Sequence, residues 1–103
     1  MGYEYDLVPD DPDDYLRRRA ALIDAATALP SFSRRAGAWE LWLSDPTLPA
    51  DGWEQAQLVF GERDVRVTCM TPLSAMVRAD LRALPGLFGG ARYVDDDGGP
   101  AAF

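Results

Sequence analysis

Residues 54–70 read Glu54-Gln55-Ala56-Gln57-Leu58-Val59-Phe60-Gly61-Glu62-Arg63-Asp64-Val65-Arg66-Val67-Thr68-Cys69-Met70, and this stretch decides the fold. Ala56, Leu58 and Phe60 alternate with Gln57 and Val59; past Gly61 and Arg63, Val65, Val67 and Cys69 alternate with Arg66 and Thr68. A period of two sends alternate side chains to opposite faces of a strand. The short loop through Gly61 joins strands Glu54–Phe60 and Asp64–Met70 into a hairpin. One apolar face and one more polar face mark an antiparallel sheet covered on a single side.

Upstream, Ala38–Ser44 reads the same way. Trp39, Leu41 and Leu43 share the apolar face, while Glu40 and Trp42 share the other. The segment from Asp45 to Gly52 is a turn-rich connection holding Pro46 and Pro49, and Ser31–Gly37 is predicted as a loop carrying Arg34 and Arg35. Tyr3–Val8 forms a first strand that Pro9 ends, with Tyr3, Tyr5 and Leu7 opposite Glu4 and Asp6. Between them lies a helix. Asp11 is placed to cap it, Pro12 suits its first position, and Asp13 and Asp14 complement the helix dipole. Leu16, Ala20, Ile23 and Ala26 form the predicted buried stripe, widened by Leu22 and Leu29, and Pro30 stops the helix. Asp13 with Arg17 and Asp14 with Arg18 are pairs four residues apart.

Downstream, Thr71-Pro72 repeats the cap-and-proline signature and opens a second helix. Its predicted stripe is Leu73, Met76, Val77, Leu81 and Leu84, and Pro85-Gly86 ends it. Ala91–Val94 supplies a short last strand. The resulting order is β-α-β-β-β-α-β, with no repeat and no linker. It predicts an α+β two-layer sandwich: an antiparallel sheet of four to five strands with two helices on one face, related by architecture to ferredoxin-like folds. Residues 1–94 form one domain, and 95–103 are expected to be a flexible acidic, glycine-rich tail.

Composition narrows the chemistry. The 103 residues include 17 acids and 10 basic residues, for a formal charge of −7, with no histidine; every basic residue is arginine. Arginine-only basicity with abundant alanine, proline and glycine points to a GC-rich, bacterial coding sequence. Without histidine, neither a Ser-His-Asp triad nor a Cys/His zinc site can be built. Without lysine, Schiff-base chemistry and a phosphate-binding P-loop are excluded. What remains is carboxylate, tyrosine, arginine or the thiol of Cys69, which falls in register with the buried face. Asp95-Asp96-Asp97-Gly98-Gly99 lacks calcium-loop spacing, and Gly86, Gly89 and Gly90 do not make a dinucleotide fingerprint. No metal or cofactor is expected. The acidic balance disfavours direct nucleic-acid binding. No apolar run is long enough to span a membrane, and the N-terminus carries neither a secretion signal nor a myristoylation pattern, so the cytoplasm is the expected location.

The open face is the candidate site. By register it collects Glu4, Asp6, Glu40, Trp42 and Arg66, along with Gln57, Val59 and Thr68. Trp42 is either packed under the 45–49 stretch or Phe103, offered to a partner, or used in self-association; tryptophan and arginine dominate binding hot spots. The sequence expectation is a small acidic protein-binding module that inhibits or regulates a partner with a basic surface, such as a bacterial immunity protein. The alternative is a small ferredoxin-like enzyme or ligand-binding domain, possibly dimeric, in which Asp6 and Glu40 act with Tyr5, Arg66 or Arg92. A third reading is a subunit whose role is assembly.

Overall fold

The hairpin of residues 54–70 lies near the middle of a six-stranded sheet in the computed structural model, which describes residues 3–47, 54–70 and 73–95. The elements in chain order are β1 (Tyr3–Pro9), α1 (Pro12–Ala26), β2 (Phe32–Arg35), β3 (Glu40–Leu43), β4 (Ala56–Phe60), β5 (Val65–Cys69), α2 (Ala75–Leu87) and β6 (Ala91–Asp95). Their order across the sheet is β2-β3-β4-β5-β1-β6, and every adjacent pair is antiparallel. Setting aside β2 and β3 leaves β-α-β-β-α-β, with β1 inserted between β5 and β6. The fold is therefore an α+β sandwich of ferredoxin-like type, extended at one edge by an additional hairpin.

Both helices pack on one face. From the sheet, Leu7, Leu41, Leu43, Ala56, Leu58, Phe60, Val65, Val67 and Cys69 point into the core and are almost fully buried. They meet Tyr15, Leu22, Ile23 and Ala26 of α1 and Val77, Leu81 and Leu84 of α2. Alternation in the strands built this surface as expected, and Trp39 packs against its rim. Asp11 caps α1 by accepting the Asp14 N–H at 3.1 Å.

Several expectations are corrected. The segment expected as a loop, 31–37, contains β2, so the sheet has six strands rather than four to five. A register shift between Phe32 and Arg34 breaks the alternation that would have marked this strand. The bulge and two arginines also suit an edge that must not pair with another chain. The strand expected over 38–44 is confined to Glu40–Leu43.

The α1 stripe is also out of phase with the expected one. Leu16 is 48% exposed and Ala20 is exposed, whereas Tyr15 is buried. Arg18 and Arg19 belong to the inward side. Arg18 reaches across to donate to the Phe88 carbonyl at 2.9 Å, and the Arg19 guanidinium lies 3.8 Å from the centroid of the Trp39 ring. Long arginine stems cover apolar surface while their heads stay wet, so a stripe can pass through them.

In α2 the cap is Ser74, whose hydroxyl accepts the Val77 N–H at 3.3 Å; Thr71-Pro72 lies outside the described residues. The helix does not stop at Pro85-Gly86 but runs on to Leu87, and Phe88 caps it. Gly89 and Gly90, with φ of +74° and +130°, then turn the chain into β6. Asp80 is buried in this helix and accepts the Ser31 N–H at 2.8 Å, tying the exit from α1 to α2. The last strand includes Asp95, and residues 96–103 lie outside the described residues. No helix among the described residues is long and apolar enough to cross a membrane.

Candidate functional site

Both helices cover one face, no described residue covers the other, and the strand pairing arranges this open face in rows. One row runs Val94, Asp6, Arg66, Val59, Glu40 across β6, β1, β5, β4 and β3. The next runs Glu4, Thr68, Gln57, Trp42, Arg34 across β1, β5, β4, β3 and β2. All five residues singled out in the sequence, Glu4, Asp6, Glu40, Trp42 and Arg66, therefore share this face.

They form two separate groups. Arg66 donates to Glu4 at 2.7 Å and to Asp6 at 3.0 Å, bridging β5 to β1. Each pair is partly exposed and worth at most about 1 kcal/mol to the fold. In the second group, the Trp42 indole N–H donates to Glu40 at 2.7 Å, and the Arg34 guanidinium stands 5.2 Å from the Trp42 ring centroid. That is cation–π range. Arg34 also pairs with Glu54 at 2.8 Å, and the other Glu54 carboxylate oxygen is buried with no hydrogen-bond partner among the described residues. Trp42 is thus half-buried, one edge satisfied by Glu40 and one face near an arginine. Between the two groups Val59 is 37% exposed. Of the 45–49 stretch and Phe103, which the sequence offered as possible covers for Trp42, residues 48–49 and 103 lie outside the described residues.

Arg34 is the participant that sequence reasoning missed. The bulge in β2 hides the strand that carries it, so the sequence there reads as a loop. Pairing opposite Trp42 brings it onto the open face.

Of the residues of the catalytic alternative, Asp6 and Arg66 meet at 3.0 Å, but the two carboxylates are not brought together. Asp6 and Glu40 stand three strand spacings apart, about 14 Å, too far for a cooperating carboxylate pair. Tyr5 packs against the core on the helix side, and Arg92 is opposite Val8 at the outer strand. Burial raises the Asp64 carboxyl above its ordinary value, and the like charge of Asp6 adds to this, while Arg66 partly offsets it. A shallow groove lined by Pro12, Asp13, Leu16, Glu62 and Arg63 lies beside this turn but does not include Asp64. Among the described residues no group of three or more Cys, Asp or Glu is placed to hold a metal ion. In the acidic start of α1, Asp11 is the cap and Asp14 pairs with Arg18 at 2.8 Å and with Arg17 at 3.4 Å.

Cys69 is buried, and burial pushes its thiol up to about 11. The thiolate is the nucleophile, so at neutral pH this sulfur is both shielded and protonated. Iodoacetamide near pH 8 is expected to modify native protein at least about 100-fold more slowly than urea-unfolded protein. Equal rates in the two states would show that β5 does not hold Cys69 against the helices.

Comparison of the chain with protein-family models, with curated proteins and with solved structures finds no significant match.

Proposed function

We propose that the protein is a binding module: a compact acidic domain that docks on another protein through the open face of its sheet and blocks or regulates that partner. A dedicated inhibitor of the bacterial immunity type, acting in the cytoplasm, is the concrete form of this reading. The observation that carries it is Trp42, presented half-buried on a face that no described residue covers, with Glu40 on its indole N–H and Arg34 beside its ring. A tryptophan held in one orientation by its neighbours loses little freedom on docking, and Trp and Arg supply the largest binding contributions.

Electrostatics supports a basic partner at long range. The chain carries −7 overall, yet the two rows of the face bring Glu4, Asp6 and Glu40 against Arg34 and Arg66, which is close to balance. Acids elsewhere, such as Asp10, Asp11, Asp13 and Glu62, therefore supply most of the steering field, and the face supplies the specific contacts. A lone buried thiol fits a reducing compartment.

The test is affinity capture from a bacterial lysate at low and high salt, followed by binding measurements with purified partner. Trp42→Ala and Arg66→Ala are each expected to weaken the complex at least about tenfold while the melting temperature changes little. Raising the salt should slow association more than it speeds dissociation. A partner held equally tightly by both variants would remove the open face from the reading.

A further inference from the structure

We infer that, when no foreign partner is bound, the open face closes on a second copy of the same chain about a two-fold axis running along β4. The inference rests on the reading of this face as the docking surface, and it specifies a competitor for that surface. The charge pattern selects the geometry. A two-fold axis along a strand lays each cross-strand row over its own copy in reverse. With the axis on β4, exposed Val59 meets Val59 of the second copy at the centre. Glu40 on β3 then faces Arg66 of the second copy, and Arg34 on β2 faces Glu4 of the second copy. By symmetry each meeting occurs twice, giving four contacts between opposite charges.

Four other placements fail on the same grounds. An axis on β3 sets Glu40 against itself, and an axis on β5 sets Arg66 against itself. An axis between β4 and β5 sets Glu40 against Asp6. An axis across the strands exchanges the rows and sets Asp6 against Glu4. Like charges brought together in an interface are strongly unfavourable, so each of these is selected against. The strand-aligned arrangement is also the one in which two twisted sheets pack face to face, about 10 Å apart and near −30°. The molecule measures 40 × 29 × 20 Å, its shortest dimension matching the two layers. The broad side is of the order required for the roughly 800 Å² per partner of a standard interface.

The experiment is sedimentation equilibrium of the full chain and of two charge-reversal variants, Glu40→Arg and Arg66→Glu, with melting curves as the fold control. Wild type is expected to dimerise, more weakly as salt rises from about 0.05 to about 0.5 M. Each variant alone turns two attractive contacts repulsive, and its dimer dissociation constant is expected to rise at least about tenfold. An equimolar mixture should recover the dimer. There the arginine introduced at position 40 meets the glutamate introduced at position 66, and the native Arg66 of one chain meets the native Glu40 of the other. A wild type that stays monomeric overturns the inference, as does a mixture that stays monomeric. Neither outcome touches the docking of a foreign protein, which is read separately through Trp42→Ala.

Discussion

Tyr15→Ala is expected to lower stability by about 4 kcal/mol, in the range of large aromatic deletions from a core. A domain of this size is held by only about 5–15 kcal/mol, so the variant should melt about 20 °C below wild type. The size of the effect follows from where the side chain sits. Tyr15 is 1% exposed, its ring stacks on Phe88 with centroids 5.6 Å apart, and its hydroxyl donates to the Gly61 carbonyl at 2.7 Å. A longer contact to the Asp64 carbonyl, 3.3 Å, completes the attachment. One residue thus joins α1, the β4–β5 turn and the C-terminal cap of α2. Tyr15→Phe keeps the ring and should cost only about 1–2 kcal/mol, the value of the hydroxyl contacts. Equilibrium urea unfolding of the two variants separates the contributions. If Tyr15→Ala unfolds within about 1 kcal/mol of wild type, this corner is not what holds the layers together.

The same hydroxyl gives the fold an alkaline limit. Burial, the largest influence, pushes the Tyr15 phenol up from 10.0 to about 12, with Arg19 opposing and Asp64 adding to the shift. Between those values the folded chain holds a proton that the unfolded chain has released. Stability therefore is fully present below pH 10 and declines as pH rises toward about 12. Tyr15→Phe should flatten that decline. Burial raises the Tyr93 phenol as well, so some alkaline loss will persist in the variant.

Local signals carried most of the sheet into view. Antiparallel neighbours share faces by register, so period-two alternation in 3–8, 38–44 and 54–70 is enough to place Glu4, Asp6, Glu40, Trp42 and Arg66 on one face. Alternation could not reveal how those five divide. Arg66 is occupied by acids on the adjacent strand, and Trp42 acquires Arg34 from a strand whose bulge erased its pattern. On α1 the stripe was displaced because two of its inward positions are arginines and a third is a tyrosine with a polar tip. Asp80 escaped for a related reason: it is charged, yet buried, since a backbone N–H from another segment satisfies it. Amphipathic and paired residues are where a pattern of apolar types loses the core.

Pro85 shows the non-local case most clearly, and Tyr93→Phe is expected to expose it by costing about 2 kcal/mol. A proline inside a helix supplies no N–H, so the carbonyl four residues earlier, that of Leu81, loses its usual donor. The Tyr93 hydroxyl, coming from β6, donates to that carbonyl at 2.6 Å. This is why α2 passes through Pro85 and Gly86, which a sequence reading takes for a stop. The decisive measurement is a double-mutant cycle with Pro85→Ala, which returns an N–H to the helix. In that background Tyr93→Phe should cost less than half as much, a coupling of at least about 1 kcal/mol. If the hydroxyl costs the same in both backgrounds, its value lies in packing or in other contacts of Tyr93, and the helix tolerates Pro85 for a different reason. If the coupling is found, the end of α2 is set by a strand that begins four residues after it. Neither Pro85 nor Tyr93 could then be read correctly without the other.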